Sequence, residues 1–166
     1  LSVALGSVVT IDVGHYNEKP GAISALGDTE LYYNQMMAVN LDEAFKYAGF
    51  KTRVNGYDGK LKSLSERARL AKGTDFFVSI HHDSVQEYDL MPWEVNGTQQ
   101  RYTTKAKGFS VFVSEDNPYY KQSLVCAQSI ANSLMDAGFF PNYYHYFNNP
   151  KGNFKLLYGD LPVYNY

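Results

Sequence analysis

Two histidines stand where short apolar, β-branched runs give out. Val8-Val9-Thr10-Ile11-Asp12-Val13 leads into Gly14-His15, and Phe76-Phe77-Val78-Ser79-Ile80 leads into His81-His82-Asp83, with an acidic residue, Glu30, between the two runs. Neutral imidazole is a common metal ligand, and two imidazoles with one carboxylate form a catalytic zinc set that leaves a coordination position open for water. Side chains alternate across a strand, so if the second run continues through 81 and 82, only one of His81 and His82 can face such a site. A lone histidine is more often a hydrogen-bonded surface residue, and Glu30 would also suit the positive end of a helix. The joint placement points to a metal, since folding alone does not demand two histidines at strand ends.

The elements that must position these residues follow from local pattern. Residues 7–13 read as a central strand buried on both faces, because the apolar run is nearly continuous. Residues 14–27 are a turn-rich loop carrying His15, broken at Lys19-Pro20-Gly21 and Leu26-Gly27-Asp28. A helix over 30–48 is expected, with Asp28 capping it, Met37, Leu41, Ala44, Phe45 and Ala48 on one face, and Gly49 closing it. A second strand follows at 50–54. Ser63-Leu64-Ser65-Glu66 has the spacing of a capping box and predicts a short helix over 64–72. A third strand is expected at 75–82. Residues 85–107 read as a long irregular stretch, the kind of loop that often serves a site. A fourth strand at 108–114 and a helix opened by Asn117-Pro118 and closed by Gly138 come next, with Leu124, Ala127, Ala131 and Leu134 on its inner face. Beyond it the chain is rich in Tyr, Asn and Pro; His145 is expected in an exposed loop and a strand at 154–157. Strands alternating with helices define an α/β class: a three-layer arrangement with a twisted, mostly parallel (mixed) sheet and helices on both faces. Ligand sites in such sheets lie beyond the carboxyl ends of the strands, where His15, His81 and the start of the first helix would meet.

Composition narrows the classes. At 166 residues, 45% hydrophobic and 19% charged, the chain is that of one folded domain, with no run long enough for a membrane span. A net charge of −2 gives no basic footprint for nucleic acid. The single cysteine, Cys126, excludes a thiolate metal cluster within one chain and reads as a small buried hydrophobe. Residues 1–6 lack the features of a signal peptide. Among 15 tyrosines and one tryptophan, Trp93, in the long irregular stretch, is the candidate for stacking on a sugar.

Several of these residues, in order, carry a family resemblance. Asp12-Val13-Gly14-His15, Pro20-Gly21-Ala22 and Glu30, then Leu64 and Arg67, then Ser79-Ile80-His81-His82-Asp83-Ser84, then the strand at 108–113 resemble the zinc-dependent N-acetylmuramoyl-L-alanine amidases of the amidase-3 family, over Val8 to about Met135. The resemblance implies zinc held by His15, Glu30 and His81, the first histidine of its pair. It also implies hydrolysis of the amide between the lactyl group of N-acetylmuramic acid and L-alanine, with a carboxylate moving protons between water and leaving amine. Peptidoglycan would be the partner, the location extracellular or periplasmic, and the state monomeric. Asp12 and Asp83 flank the ligands and could orient imidazoles as hydrogen-bond acceptors, or equally take turn and capping bonds.

The departures are specific. Val13 stands where the family usually has proline or alanine, and Tyr16 where glycine commonly follows the first histidine. The family's catalytic glutamate lies in a C-terminal motif of the form Pro-Ala-Val-Leu-Val-Glu, whereas Leu161-Pro162-Val163 is followed by no acidic residue. The catalytic residue is therefore unassigned. The expectation is a single amidase-like domain over 1–166, either truncated at its C-terminus or working without the family's glutamate. The alternatives are a zinc-containing wall-binding or regulatory domain without catalysis, or another zinc amide hydrolase.

Overall fold

The computed structural model describes residues 6–148 and 161–165. They fall into two compact units, 6–84 with 90–102, and 85–89 with 103–148 and 161–165. The class is α/β, with parallel strands and helices as expected.

The first unit is built on three parallel strands, β1 (Val8–Val13), β2 (Lys51–Asn55) and β3 (Phe76–Ile80), in the order β2-β1-β3. Helix α1 (Glu30–Tyr47) covers the sheet. Val9, Ile11 and Val13 of β1, Ile80 of β3 and Leu31 and Ala38 of α1 make one core, with Leu41, Phe45, Phe50, Val54, Phe76 and Val78 packed around it. The buried stripe of α1 runs Leu31, Asn34, Ala38, then Leu41 and Phe45, while Met37, Ala44 and Ala48 are exposed. The expected face is thus rotated, because the true stripe includes a polar residue that a hydrophobic pattern passes over. The cap also differs: Thr29, not Asp28, accepts from the Tyr32 N–H (3.3 Å), and Asp28 instead accepts from the Tyr33 hydroxyl (3.1 Å).

Helix α2 (Leu64–Leu70) is capped by Ser63, whose hydroxyl accepts from the Glu66 N–H (3.3 Å). Only half of the expected box forms, since the Glu66 carboxylate turns to Arg69. The stretch expected to be irregular holds a 3₁₀ turn, Glu87–Asp89, and then an antiparallel hairpin of β4 (Met91–Val95) and β5 (Thr98–Tyr102). Asn96 (φ 50°) and Gly97 (φ 75°) form its two-residue turn, both in the left-handed region that a twisted hairpin favours. Pro92 in β4 and the polar residues of β5 conceal the hairpin; the Asn-Gly pair was its signal.

In the second unit β6 (Val111–Val113) pairs in parallel with β7 (Val163–Asn165), and helix α3 (Tyr120–Asp136) packs on them through Ala127, Ala131 and Leu124. Asn117-Pro118 forms a turn ahead of α3, with the Asn117 side chain accepting from the Tyr119 N–H. Cys126 of α3 is half-buried rather than buried. Strand β7 was not anticipated, and the strand expected at 154–157 lies outside the described residues. His145, expected in an exposed loop, sits in a short helix α4 (Tyr144–Phe147), half-buried among the rings of Phe112, Tyr144 and Tyr164.

Tyr164 is fully buried and donates from its hydroxyl to the Asn142 carbonyl (3.0 Å). Burial, with the neighbouring Tyr143, pushes its phenol up to about 12 from an ordinary value of 10.0. In the unfolded chain the phenol ionises first, so this stabilisation is whole below pH 10 and is lost as pH rises through the window toward 12. Alkaline unfolding followed by circular dichroism should show that loss. Tyr164→Phe should flatten the pH dependence there, and an unchanged curve would count against it.

Candidate metal centre

Parallel pairing puts Val13 opposite Ile80, so β1 and β3 end level at one edge. His81 follows Ile80 directly and His15 lies two residues past Val13. The loop between β1 and α1 returns to the same edge through small bridges, Tyr16 with Lys19 and Ile23 with Thr29, and Glu30 enters in the first turn of α1.

His15, Glu30 and His81 converge, with one ligand atom from each within 4.8 Å of the others. Glu30 Oε2 is 3.0 Å from His15 Nε2, and Glu30 Oε1 is 3.0 Å from His81 Nδ1. Two backbone amides also donate to this carboxylate, Ala22 to Oε2 (3.2 Å) and His82 to Oε1 (3.0 Å). Burial pushes the Glu30 carboxyl up, but the bond to His81, the Ala22 amide, the attraction of His15 and the His82 amide outweigh it and hold the group below its ordinary range. The carboxylate is the buried floor, 6% exposed, while His15 and His81 are 29% and 53% exposed. A cation held here would keep a solvent-facing side.

The donor set suits a metal. His15 Nδ1 lies 3.2 Å from the Lys19 carbonyl, which can only accept, so Nδ1 carries the hydrogen and Nε2 presents a lone pair to Glu30. A lone pair facing a carboxylate oxygen needs a proton or a cation between them. Tetrahedral zinc, with bonds of about 2.0–2.1 Å, would separate neighbouring ligand atoms by roughly 3.3 Å, near the 3.0 Å from each imidazole to its own Glu30 oxygen and inside the 4.8 Å that spans the three ligand atoms. Two glycines make room. A Cβ on Gly14 would sit 2.4 Å from His81 Cε1, and one on Gly21, where φ is +83°, would sit 2.5 Å from Glu30 Oε2.

Strand β3 stops at Ile80, so His81 and His82 diverge outside the sheet and no alternation constrains them. His82 Nδ1 meets Asn34 Oδ1 at 2.7 Å, outside the cluster, and burial lowers its pKa despite the Glu30 charge. Asp12 does not orient an imidazole: its oxygens accept from Arg67 (2.9 Å) and Ser79 (2.8 Å). Asp83 is exposed, and its carboxylate accepts from the Ser84 N–H (2.7 Å), a turn bond. Trp93 lies in β4 of the hairpin, 48% exposed, edge-on to Tyr102 at 5.4 Å.

Pattern reading did not foresee the work of Arg67. Its guanidinium is buried and donates to Asp12 and to the carbonyls of Val13, His15 (2.7 Å) and Leu61 (2.6 Å). These bonds hold the exit of β1, including His15 at φ 70°. An arginine in the last turn of a short helix gives little signal beyond its charge.

The family model described as N-acetylmuramoyl-L-alanine amidase matches residues 9–159, and the chain belongs to that family of peptidoglycan amidases, amidase-3. Among solved structures, the apo N-acetylmuramyl-L-alanine amidase Ami1 of Mycobacterium abscessus is 19% identical, covering 98% of this chain and 76% of that one at a TM-score of 0.70. AmiC2 of Nostoc punctiforme, an N-acetylmuramoyl-L-alanine amidase, is 17% identical, covering 96% and 77% at 0.63. The catalytic domain of CwlV from Bacillus (Paenibacillus) polymyxa var. colistinus is 28% identical at a TM-score of 0.45, and this chain spans 46% of its length. Comparison with curated proteins returns no match.

Removing Arg67 would leave Asp12 as a buried, unpaired charge. Arg67→Ala should cost about 3–5 kcal/mol of folding stability, the usual consequence of breaking a buried pair. Arg67→Lys should recover only part, because an ammonium cannot span four acceptors in a fixed fork. Denaturant midpoints of the three proteins test this, and a loss under about 1 kcal/mol in the alanine variant would contradict it.

Proposed function

We propose that the chain is a zinc-dependent N-acetylmuramoyl-L-alanine amidase that cleaves the amide between the lactyl group of N-acetylmuramic acid and L-alanine of the stem peptide. The observation that carries this reading is the convergence of His15, Glu30 and His81 within 4.8 Å at the ends of two parallel strands. Zinc bound there would polarise the amide carbonyl and lower the pKa of a water molecule. The chain's own contribution is to fix the donors. The His81 ring and two backbone amides favour the Glu30 anion, the Lys19 carbonyl directs the His15 lone pair inward, and Gly14 lets the His81 ring lie across the end of β1. The group that moves protons to the leaving amine is unassigned.

The family match runs across both compact units, which supports treating 1–166 as a single amidase-like domain. Among the described residues no helix is long and apolar enough to cross a membrane. Peptidoglycan as substrate would place the work of the protein outside the cytoplasmic membrane, as an extracellular or periplasmic monomer. Trp93 is proposed as a face for a sugar ring, since its indole is half exposed and braced by Tyr102.

Elemental analysis should find one zinc per chain. His15→Ala and His81→Ala should lose it, while His82→Ala should retain it at stoichiometric concentrations. Mass spectrometry of digested wall should show stem peptides with free L-alanine amino termini. Free amines at other positions would make the protein a different zinc amide hydrolase, and bound zinc with no products would make it a wall-binding or regulatory module. Trp93→Ala should raise KM for glycan-bearing substrate more than it lowers kcat; the reverse pattern would remove Trp93 from substrate binding.

A further inference from the structure

Asn34 lies four residues after Glu30 on α1, so both side chains project from one face of the helix. It is fully buried in an otherwise apolar stripe. A buried amide is costly unless its hydrogen bonds are made. Here both ends are used: Nδ2 donates to the Gly14 carbonyl (3.1 Å), and Oδ1 lies 2.7 Å from His82 Nδ1. Gly14 immediately precedes His15, and His82 immediately follows His81.

The pairings fix their own chemistry. A carbonyl only accepts, so the amide nitrogen of Asn34 faces Gly14 and its oxygen faces His82. Nδ1 of His82 therefore carries a hydrogen, and the neutral ring is the Nδ1–H tautomer. The main-chain N–H of His82 in turn donates to Glu30 Oε1 (3.0 Å), and its ring lies 5.6 Å from that of Tyr33, also on α1.

We infer that Asn34 is a positioning residue for the metal centre: it pins the residue before one histidine and the residue after the other to the helix that carries the glutamate. All three candidate ligands are thereby spaced from one rigid element. Asn34 touches none of the candidate imidazoles and acts through its two neighbours. The inference rests on the proposed zinc reading for its affinity arm alone.

Two readouts test it on the full chain. Long-range proton–nitrogen NMR spectra of metal-free protein should show His82 as the Nδ1–H tautomer, and Asn34→Ala should release it toward the Nε2–H form that free imidazole prefers. That signature reports the Asn34–His82 bond itself, and the zinc affinity reports whether the bond positions the centre. Chelator competition should show zinc bound roughly 10–100-fold more weakly by Asn34→Ala, the usual consequence of losing a partner that orients a metal site. His82→Phe, which keeps a ring beside Tyr33 and leaves α1 untouched, should weaken zinc about tenfold, and the double variant should lose less than the two single losses combined. A wild-type zinc Kd in folded Asn34→Ala, or an Nε2–H tautomer in the wild type, would overturn the inference. If Asn34→Ala does not fold, a wild-type Kd in His82→Phe overturns it instead. If the wild-type chain binds no zinc, the zinc reading falls, while the tautomer spectra still decide the brace.

Discussion

The rest of the centre depends on one buried guanidinium. Arg67 reaches from α2 to the end of β1, where it meets the Asp12 carboxylate and the carbonyls of Val13, His15 and Leu61. Val13 ends β1, His15 and Leu61 lie outside the strands, and all three are buried or half-buried, so a donor to their carbonyls is needed there. The contact also holds His15 at φ 70°, a conformation costing an ordinary residue about 1–3 kcal/mol. Hydrogen bonds to a charged group are worth roughly 1.5–3 kcal/mol each, so four acceptors on one fork outweigh that strain. Asp12 carries the constraint further. Its second oxygen accepts from Ser79, its register partner on β3, tying the strand of one histidine to the strand of the other.

Level strand ends alone would leave the imidazoles at a shared edge with no reason to meet. Glu30 supplies the reason. It enters from the first turn of α1, the end of a helix that favours negative charge, and two backbone amides from the flanking segments donate to it. Those amides belong to the loop after β1 and to the residue after His81. The carboxylate therefore gathers both histidine-bearing segments before any metal is considered.

Much of this was legible in the sequence. Abrupt ends to apolar runs located His15 and His81, because a strand that stops in Gly-His or His-His must turn there, and Glu30 followed from the helix start. The first helix, its glycine stop and the parallel α/β class came from period and turn chemistry. What stayed hidden was polar. Asn34 and Arg67 are buried through hydrogen bonds whose partners, Leu61 aside, are 20 to 55 residues away, and no local pattern encodes a partner at that distance. The hairpin of β4 and β5 was missed because Pro92 breaks the strand signal of β4 and β5 is polar, and β7 because three residues carry too little periodicity to read.

The three candidate ligands differ in how firmly they are held, and the difference has a direction. Glu30 is buried and bound by two amides. His15 is fixed by its backbone conformation, by Arg67 on its carbonyl and by Lys19 on its ring. His81 is half exposed, and among the described residues its ring bonds only to Glu30, while the stiffer connection belongs to the next residue, His82. A site built this way has two preset donors and one that can adjust its ring by a rotation about its own side chain. A cation held here would rest against the buried carboxylate and the fixed imidazole, with the more exposed imidazole on the solvent side.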